Sequence, residues 1–260
     1  QSVRFRGPRP LATALAANRA RSLALATGDL DGDGVPDAAC GYEVDGRGAI
    51  AVLRGNVDAV YPNAPEARAR REAGTAASGA FHPVAAVMAL DAPPELLAAG
   101  DVDADGHVDL VAARGGGDEV LIVPGAGRGR FGAVRRVDVA GRVTALAVGE
   151  VGLADGLADL VVALETASGA SALVYRGAAG AVAASPTVVA TDAPIAAIAT
   201  TRLAGDHTSS IVLAAGAEAY VVGAGVVGRV ALACQARDVG GGRVGGAAAW
   251  VGVLGSEGWI

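Results

Sequence analysis

The stretch from Ser22 to Glu43 reads SLALATGDLDGDGVPDAACGYE, and a second copy from Leu96 to Gly115 reads LLAAGDVDADGHVDLVAARG. Each copy has a short apolar run, then an acidic turn, then another apolar run. Apolar runs of this length, separated by Gly and Asp turns, are typical of short β-strands. The two copies therefore predict the same arrangement of strand, acidic turn and strand.

The pattern continues along the chain with a steady period. A third copy begins at Val143, a fourth with few acidic residues begins at Ile195, and a shortened fifth begins near Val244. Successive turns start 72, 49, 52 and 50 residues apart, and the long first step contains an extra segment. A period near 50 residues that holds four short strands is typical of a β-propeller blade.

The sequence thus predicts an all-β protein, a β-propeller of four-stranded blades over residues 1–260. Neighbouring blades are expected to share a core, because one blade cannot bury both of its faces alone. Within the extra segment the run EARARRE predicts a short surface helix. The predicted units are 22–95, with an insertion at about 61–83, then 96–142, 143–194, 195–243 and a shortened unit at 244–260.

Composition narrows the classes of partner. The formal charge is −6, and the basic residues, all of them Arg, are dispersed, so no basic stripe is present to follow a phosphate backbone. Nucleic acid is therefore not a predicted partner. Cys40 and Cys234 are the only cysteines and form no CxxC pair, and the sequence shows neither a signal-peptide pattern nor a stretch predicted to span a membrane.

The acidic turns hold the predicted site. Four carboxylates within nine residues repel one another unless a cation lies between them, and oxygen-only ligands in a flexible loop favour Ca²⁺ over Mg²⁺. Gly34 and Gly106 at turn position 6 permit the sharp bend. The predicted ligands are the side chains at positions 1, 3, 5 and 9 and the backbone carbonyl at position 7: Asp29, Asp31, Asp33, Val35 and Asp37 in the first turn, and Asp101, Asp103, Asp105, His107 and Asp109 in the second.

Two other interpretations of these turns are an EF-hand and an acidic turn without a metal. An EF-hand needs Glu at position 12, where this chain has Cys40 or Ala112, and it needs helices where the pattern predicts strands. A solvated acidic turn without a metal is the simpler alternative. The third turn has Glu150, Asp155 and Asp159 at degraded spacing, which leaves metal binding open, and the fourth begins with Arg202 and predicts no ion.

The turns DLDGDGVPD and DVDADGHVD resemble the calcium loops of FG-GAP and VCBS repeats, the family that includes the integrin α-subunit propeller. The run PGAGRGRFGAV, from Pro124 to Val134, is similar to the Gly-rich turn and Phe that follow the third strand of those repeats. The resemblance implies that each calcium loop joins the first and second strands of a blade. It also implies an extracellular or periplasmic protein with, typically, seven blades, of which this chain supplies four and parts of others.

The function predicted from these features is an extracellular calcium-binding scaffold that binds a protein or carbohydrate ligand in adhesion. No catalytic role is predicted, since His82, His107 and His207 lie in separate turns and no nucleophile with a matching base stands out. One alternative is the non-catalytic propeller domain of a secreted polysaccharide-acting enzyme.

A second alternative is a dinucleotide-binding oxidoreductase. Gly223, Gly225 and Gly228 follow an apolar strand and match the GxGxxG pattern of a phosphate-binding turn. That alternative predicts a helix from Gly228 to Arg237, whereas the propeller predicts a strand. In each of the first four predicted units, a Gly also follows the third strand, 21 to 27 residues after the first position of the acidic turn. This repetition favours the propeller.

Overall fold

A computed structural model describes residues 3–77, 79–153, 156–177, 180–183, 185–201, 208–223, 227–244, 248–255 and 258–259. These residues form an all-β protein with a few short helices. The chain divides into two compact units, one of residues 1–99, 107–114 and 122–135 and the other of 100–106, 115–121 and 136–260. Within the described ranges, no helix has the length and apolar character needed to cross a membrane.

Five strands form the first sheet: β1 (Arg4–Arg6), β2 (Arg21–Gly28), β3 (Asp37–Val44), β4 (Arg47–Gly55) and β5 (Phe81–Leu90). Their order is β1-β5-β4-β3-β2, in which β1 runs parallel to β5 and the other neighbours are antiparallel. The predicted four-stranded blade therefore has a fifth strand here, because β1 pairs with β5 at one edge of the sheet.

Three helices accompany this sheet: α1 (Arg9–Ala16), α2 (Val57–Val60) and α3 (Pro65–Glu72). The helix predicted from EARARRE is confirmed by α3, which lies in the connection between β4 and β5. The sequence did not predict α1. It forms because Leu11, Ala14 and Leu15 pack into an apolar cluster with residues of β3, β4 and β5.

The second sheet contains β6 (Leu96–Gly100), β7 (Asp109–Ala113), β8 (Glu119–Val123) and β9 (Arg135–Asp138), in that order, and its residues belong to both units. The third sheet contains β10 (Arg142–Gly149), β12 (Asp159–Thr166), β13 (Gly169–Tyr175) and β14 (Thr187–Thr191). Its strands are antiparallel in the order β10-β12-β13-β14, with a short 3₁₀ helix (Ala181–Ala183) before β14. Both sheets have the predicted four strands.

The fourth sheet contains β15 (Ile195–Thr201), β16 (Thr208–Ala215), β17 (Glu218–Val222) and β18 (Val227–Ala231). It gains β11 (Gly152–Leu153), a part of the third acidic turn that pairs with the beginning of β16. The fifth sheet contains β19 (Ala236–Val244), β20 (Ala248–Gly255) and β21 (Gly258–Trp259). It begins eight residues before the predicted unit at 244, because β19 pairs with β20 along its whole length.

The side chains of β16 alternate between two cores, both within the second unit. Ile211, Leu213 and Ala215 pack with residues of the third sheet, whereas Val212 and Ala214 pack with residues of the fifth. Both sets are fully buried or nearly so. This is the arrangement expected of stacked blades, in which the middle sheet is covered on both faces.

Candidate metal centre

The first acidic turn joins β2 to β3 and is organised around the carboxylate of Asp29. Its Oδ1 accepts the backbone N–H groups of Gly32 (2.8 Å) and Asp33 (3.0 Å), and its Oδ2 accepts that of Gly34 (2.9 Å). The bend needs left-handed backbone at Gly32 and Gly34, with φ of +77° and +85°. The turn thus has the sharp curvature that the sequence predicted at position 6.

Three of the four predicted aspartates of this turn come together. Asp29, Asp31 and Asp37 each offer a carboxylate oxygen, and these oxygens lie within 4.8 Å of one another. Two oxygens on opposite sides of one Ca²⁺ ion, at about 2.4 Å each, are about 4.8 Å apart. Asp33 does not join this group, since it is exposed and its Oδ1 accepts the N–H of Val35 at 3.0 Å.

Asp37 is 1% exposed and acts as a clamp between the turn and the end of the third strand of the blade. Its Oδ2 accepts the N–H of Leu30 (2.9 Å), and its Oδ1 accepts the N–H of Gly55 at the end of β4 (2.6 Å). Burial raises the pKa of Asp37 above the usual aspartate value, and nearby Asp31 adds to the rise, while the N–H donors oppose it. Asp37 therefore holds the turn together by hydrogen bonds of its own.

The same clamp recurs in the next two turns. Asp159 accepts the N–H groups of Val151 (2.7 Å) and Gly177 (2.6 Å), and Asp109 accepts that of Gly125 (2.7 Å). Gly55 and Gly177 have no room for a side chain, because a Cβ atom would lie 2.6 Å or 2.5 Å from a backbone carbonyl oxygen of the turn. The repeated glycine after the third strand is thus explained, because a larger residue there would collide with the backbone of the acidic turn.

An arginine also contacts the first turn. Arg54 Nε donates to Asp31 Oδ2, and the side chain of Asp31 is 1% exposed whereas that of Arg54 is 49% exposed. Arg176 holds the equivalent place in the third turn, where it donates to the carbonyl of Val151 and lies 3.6 Å from Asp159 Oδ2. Arg54 and Arg176 therefore partly neutralise the negative charge of Asp31 and Asp159, which lowers the repulsion between the carboxylates of each turn.

The second turn repeats the first in outline. Asp101 accepts the N–H groups of Asp105 (3.2 Å) and Gly106 (2.8 Å), and Asp101, Asp103 and Asp109 form a second three-carboxylate group within 4.8 Å. Asp105, like Asp33, is not a member of its group. The backbone carbonyls of Val35 and His107 stay predicted ligands.

The later turns are less complete. In the third, Glu150 Oε1 accepts the N–H of Gly156 at 2.8 Å, while Asp155 lies outside the described residues. The fourth turn, from Arg202 to His207, also lies outside them. Among the described residues, three-carboxylate groups occur at the first and second turns only.

The dinucleotide alternative is contradicted by the secondary structure. The segment that it predicts to be a helix contains the strand β18 (Val227–Ala231) and the start of β19 (Ala236–Val244). Gly223 follows the end of β17 at Val222, and Gly225 lies outside the described residues. Without a helix after the glycines, the turn has no aligned N–H groups or helix dipole to hold a pyrophosphate.

Sequence reasoning missed Arg54, Arg176 and the clamp. The repeated Gly at the end of the third strand was visible, and the Arg that precedes it in two of the units was a usable signal. The role of these residues depends on long-range strand pairing, which brings the end of the third strand beside the acidic turn. Composition and spacing do not show that pairing.

These features define the class of the protein, an all-β protein of propeller-like sheets with an acidic turn between the first and second strands of at least three of them. Two similar solved structures are crystal structures of BBS1N in complex with ARL6DN, one soaked with lead and one with mercury. Each has a TM-score of 0.57 and 14% sequence identity and covers 92% of this chain. This chain covers 61% and 62% of those chains. At this identity the likeness shows the fold alone, a β-propeller-like one.

More distant comparisons add little. The crystal structure of the V. cholerae biofilm matrix protein Bap1 gives a TM-score of 0.34 at 16% identity, covers 80% of this chain and 38% of its own, and supports no argument. No family model matches the sequence, and no curated protein matches it.

Proposed function

We propose that this chain is a calcium-binding β-propeller module of the FG-GAP or VCBS type, which serves as a scaffold for a protein partner and is not itself an enzyme. The observation that carries the proposal is the group of Asp29, Asp31 and Asp37 oxygens within 4.8 Å of one another. All three are oxygen ligands, which suit a hard cation.

The first turn fits calcium in further respects. The N–H groups of Gly32, Asp33 and Gly34 fix the carboxylate of Asp29, so little conformational freedom is lost when an ion binds. Ca²⁺ takes roughly six to eight oxygen ligands, so about three to five more would come from backbone carbonyls such as that of Val35, and from water. Binding there would rigidify the connection between β2 and β3.

The scaffold role rests on the fold. BBS1N, which has a similar fold, is in complex with ARL6DN in its crystal structures. A propeller-like surface with loops at the ends of its strands can likewise present residues to a partner. An extracellular or periplasmic location and a role in adhesion are part of the proposal and rest on the resemblance of the two acidic turns to the calcium loops of FG-GAP and VCBS repeats. A carbohydrate ligand stays a prediction from the sequence.

The proposal is tested by titrating Ca²⁺ into chelator-treated protein by calorimetry while thermal unfolding is followed in parallel. We expect about two sites and a higher melting temperature, since a ligand at a hundredfold excess over its dissociation constant stabilises by about 2.7 kcal/mol. Mg²⁺ is the control ion. Absence of Ca²⁺ binding would leave the acidic turns as self-contained hydrogen-bonded loops.

Variants locate the sites. Asp31→Asn and Asp103→Asn should each remove or weaken one site and lower the melting temperature more in Ca²⁺ than in chelator, where Asp31→Asn also weakens the contact with Arg54. Asp45→Asn is the matched control, because Asp45 is exposed and lies in the hairpin turn between β3 and β4. Equal losses in chelator and in Ca²⁺ would contradict the role of the metal.

A further inference from the structure

A cleft on the first sheet collects positive charge. The pairing register puts Arg6 of β1 beside Ala86 of β5, and Ala86 beside Val52 of β4. Residues that are directly paired across a sheet lie on the same face. Arg54 lies at an irregularity in the pairing of β4 with β5, between Leu53 and Gly55, and lines the same cleft as Arg6 and Val52.

The cleft has a volume of about 340 Å³, within the range of small-molecule sites. Its charged lining consists of Arg6 and Arg54, the imidazole of His82 lies beside them, and no carboxylate lines it. Apolar groups form the rest of its wall, together with Gly129: Val52, Pro83, Val84 and Ala86. The cleft therefore offers a positive end and an apolar surface side by side.

The two arginines have donors available. Arg6 is exposed and forms no ion pair with any described residue. Arg54 uses its Nε to contact Asp31, but its side chain is 49% exposed, and the guanidinium has four further N–H donors. A planar guanidinium matches a carboxylate with two parallel hydrogen bonds.

The neighbouring acids are accounted for. A second cavity of about 610 Å³ shares Arg54, His82 and Pro83 with the cleft and is lined by Asp33 and Asp58 as well. Asp58 pairs with Arg70, whose hydrogen bond lowers the pKa of the Asp58 carboxyl. Asp33 and Asp58 thus line the neighbouring cavity and not the cleft, whose charged lining residues are Arg6 and Arg54.

We propose that this cleft binds the carboxylate of a small organic acid, with Arg6 and Arg54 on the carboxylate and the apolar wall against the organic part. The proposal goes beyond the calcium site and does not depend on it, although Arg54 lies between the two. The apolar wall favours an organic acid over an inorganic anion, which would gain nothing from Val84 and Ala86.

The test uses the full chain in chelator and follows amide resonances by NMR during titration with benzoate. Benzamide is the neutral isostere, and inorganic sulfate and phosphate are the probes without an organic part. We expect benzoate to shift resonances of β1, β4 and β5 and to bind at least about tenfold more tightly than benzamide, the factor given by one charge-assisted hydrogen bond. Equal binding of the two would overturn the proposal, and sulfate or phosphate binding as tightly as benzoate would overturn the role of the apolar wall.

Two variants in the cleft and one control outside it keep the test independent of folding. Arg6→Gln should weaken benzoate binding about tenfold, because it removes one charged donor. Arg19→Gln, at an exposed arginine outside the cleft, should leave it unchanged. Ala86→Leu adds bulk at an exposed position of β5 and should abolish binding at an unchanged melting temperature. If Arg6→Gln and Arg19→Gln bind benzoate equally, or if Ala86→Leu binds it normally, the assignment of the cleft is wrong.

Discussion

Each of the first three acidic turns is tied to its own sheet by one buried carboxylate. Asp37 satisfies the N–H groups of Leu30 and Gly55, and Asp159 satisfies those of Val151 and Gly177. A buried N–H without a partner costs about 1–3 kcal/mol. Position 9 of the turn therefore contributes to stability by a route that needs no metal.

Asp37→Ala is accordingly expected to lower the free energy of unfolding by roughly 2–5 kcal/mol, since two buried N–H groups lose their acceptor. The loss should already be present in chelator, as measured by urea denaturation, and it should be larger in Ca²⁺, because Asp37 is also a proposed ligand. Asp33→Ala is the control, because Asp33 is exposed and accepts only the N–H of Val35. Losses of similar size in both variants would show that the clamp contributes little.

Backbone strain at turn position 4 gives a second residue-scale prediction. Gly32 has a φ of +77° in the first turn, and Ala104 has a φ of +60° at the same position of the second. Left-handed backbone costs an alanine about 1 kcal/mol relative to glycine. Ala104→Gly should therefore raise the free energy of unfolding by about 1 kcal/mol in thermal or urea denaturation, and Gly32→Ala should lower it. A destabilised Ala104→Gly variant would contradict this account.

The site illustrates what spacing predicts and what it does not. The positions of Asp29, Asp31 and Asp37 follow from local turn geometry, so the sequence pattern was enough to group them. Asp33 was predicted as a ligand too, but its side chain is exposed and accepts a local N–H, which is a common use of Asp in turns. The contact of Arg54 with Asp31 depends on strand pairing, which no local pattern reveals.

At the scale of elements, β17 and β18 are joined by a surface network. Arg229 donates to Glu218 and to Asp192, and its guanidinium carbon lies 5.2 Å from the ring centroid of Tyr220. The Tyr220 hydroxyl donates to Glu218 and accepts the N–H of Asp192, both at 3.1 Å. The network ties β18 to β17 and to the connection between β14 and β15.

This network predicts a pH dependence. The hydrogen bond from Arg229 holds the pKa of Glu218 below its usual 4.5. A carboxyl whose pKa is lowered by folding stabilises the protein above its unfolded-state pKa, and that stabilisation is lost as the pH falls through the folded-state pKa. Wild type should therefore have a higher melting temperature than Glu218→Gln at pH 7, and the difference should shrink as the pH falls below 4.5 and disappear once the pH is below the folded-state pKa of Glu218. A difference that persists unchanged in acid would contradict the ionic role.

Helices were predictable only where local preference decided them. The run in α3 combines Ala, Arg and Glu, which favour helix on their own. In contrast, α1 has two prolines near its start, Pro8 and Pro10, and depends on the burial of Leu11 and Leu15 against the sheet. The strands were visible as short apolar runs, but β1 and β11 were not, because each is only two or three residues long and forms through its partner strand.

At the scale of the whole molecule, the stacked sheets of the second unit should unfold cooperatively. Trp250 and Trp259, the only tryptophans, lie in the fifth sheet, whereas the side chain of Leu213 packs with the third. Leu213→Ala removes fully buried apolar atoms and should cost about 2–5 kcal/mol. Because β16 contributes to both cores, the tryptophan fluorescence transition should shift with the far-UV circular dichroism transition.

Val188→Ala is the matched control, since Val188 on β14 is 61% exposed and should leave both transitions in place. A tryptophan transition that stays at the wild-type midpoint in Leu213→Ala would show that the fifth sheet unfolds by itself. In that case the packing of β16 against both the third and the fifth sheet would not make those two sheets unfold together.

The short strand β1 has a consequence for the association of one copy with another. It pairs with residues 84–86 of β5, and so it occupies the edge that would otherwise present free backbone donors and acceptors. Open edges of this kind recruit strands from other molecules and nucleate aggregates. Because β1 is only three residues long and carries Arg4 and Arg6, the edge that it leaves is short and charged, so a form without β1 is expected to self-associate more readily.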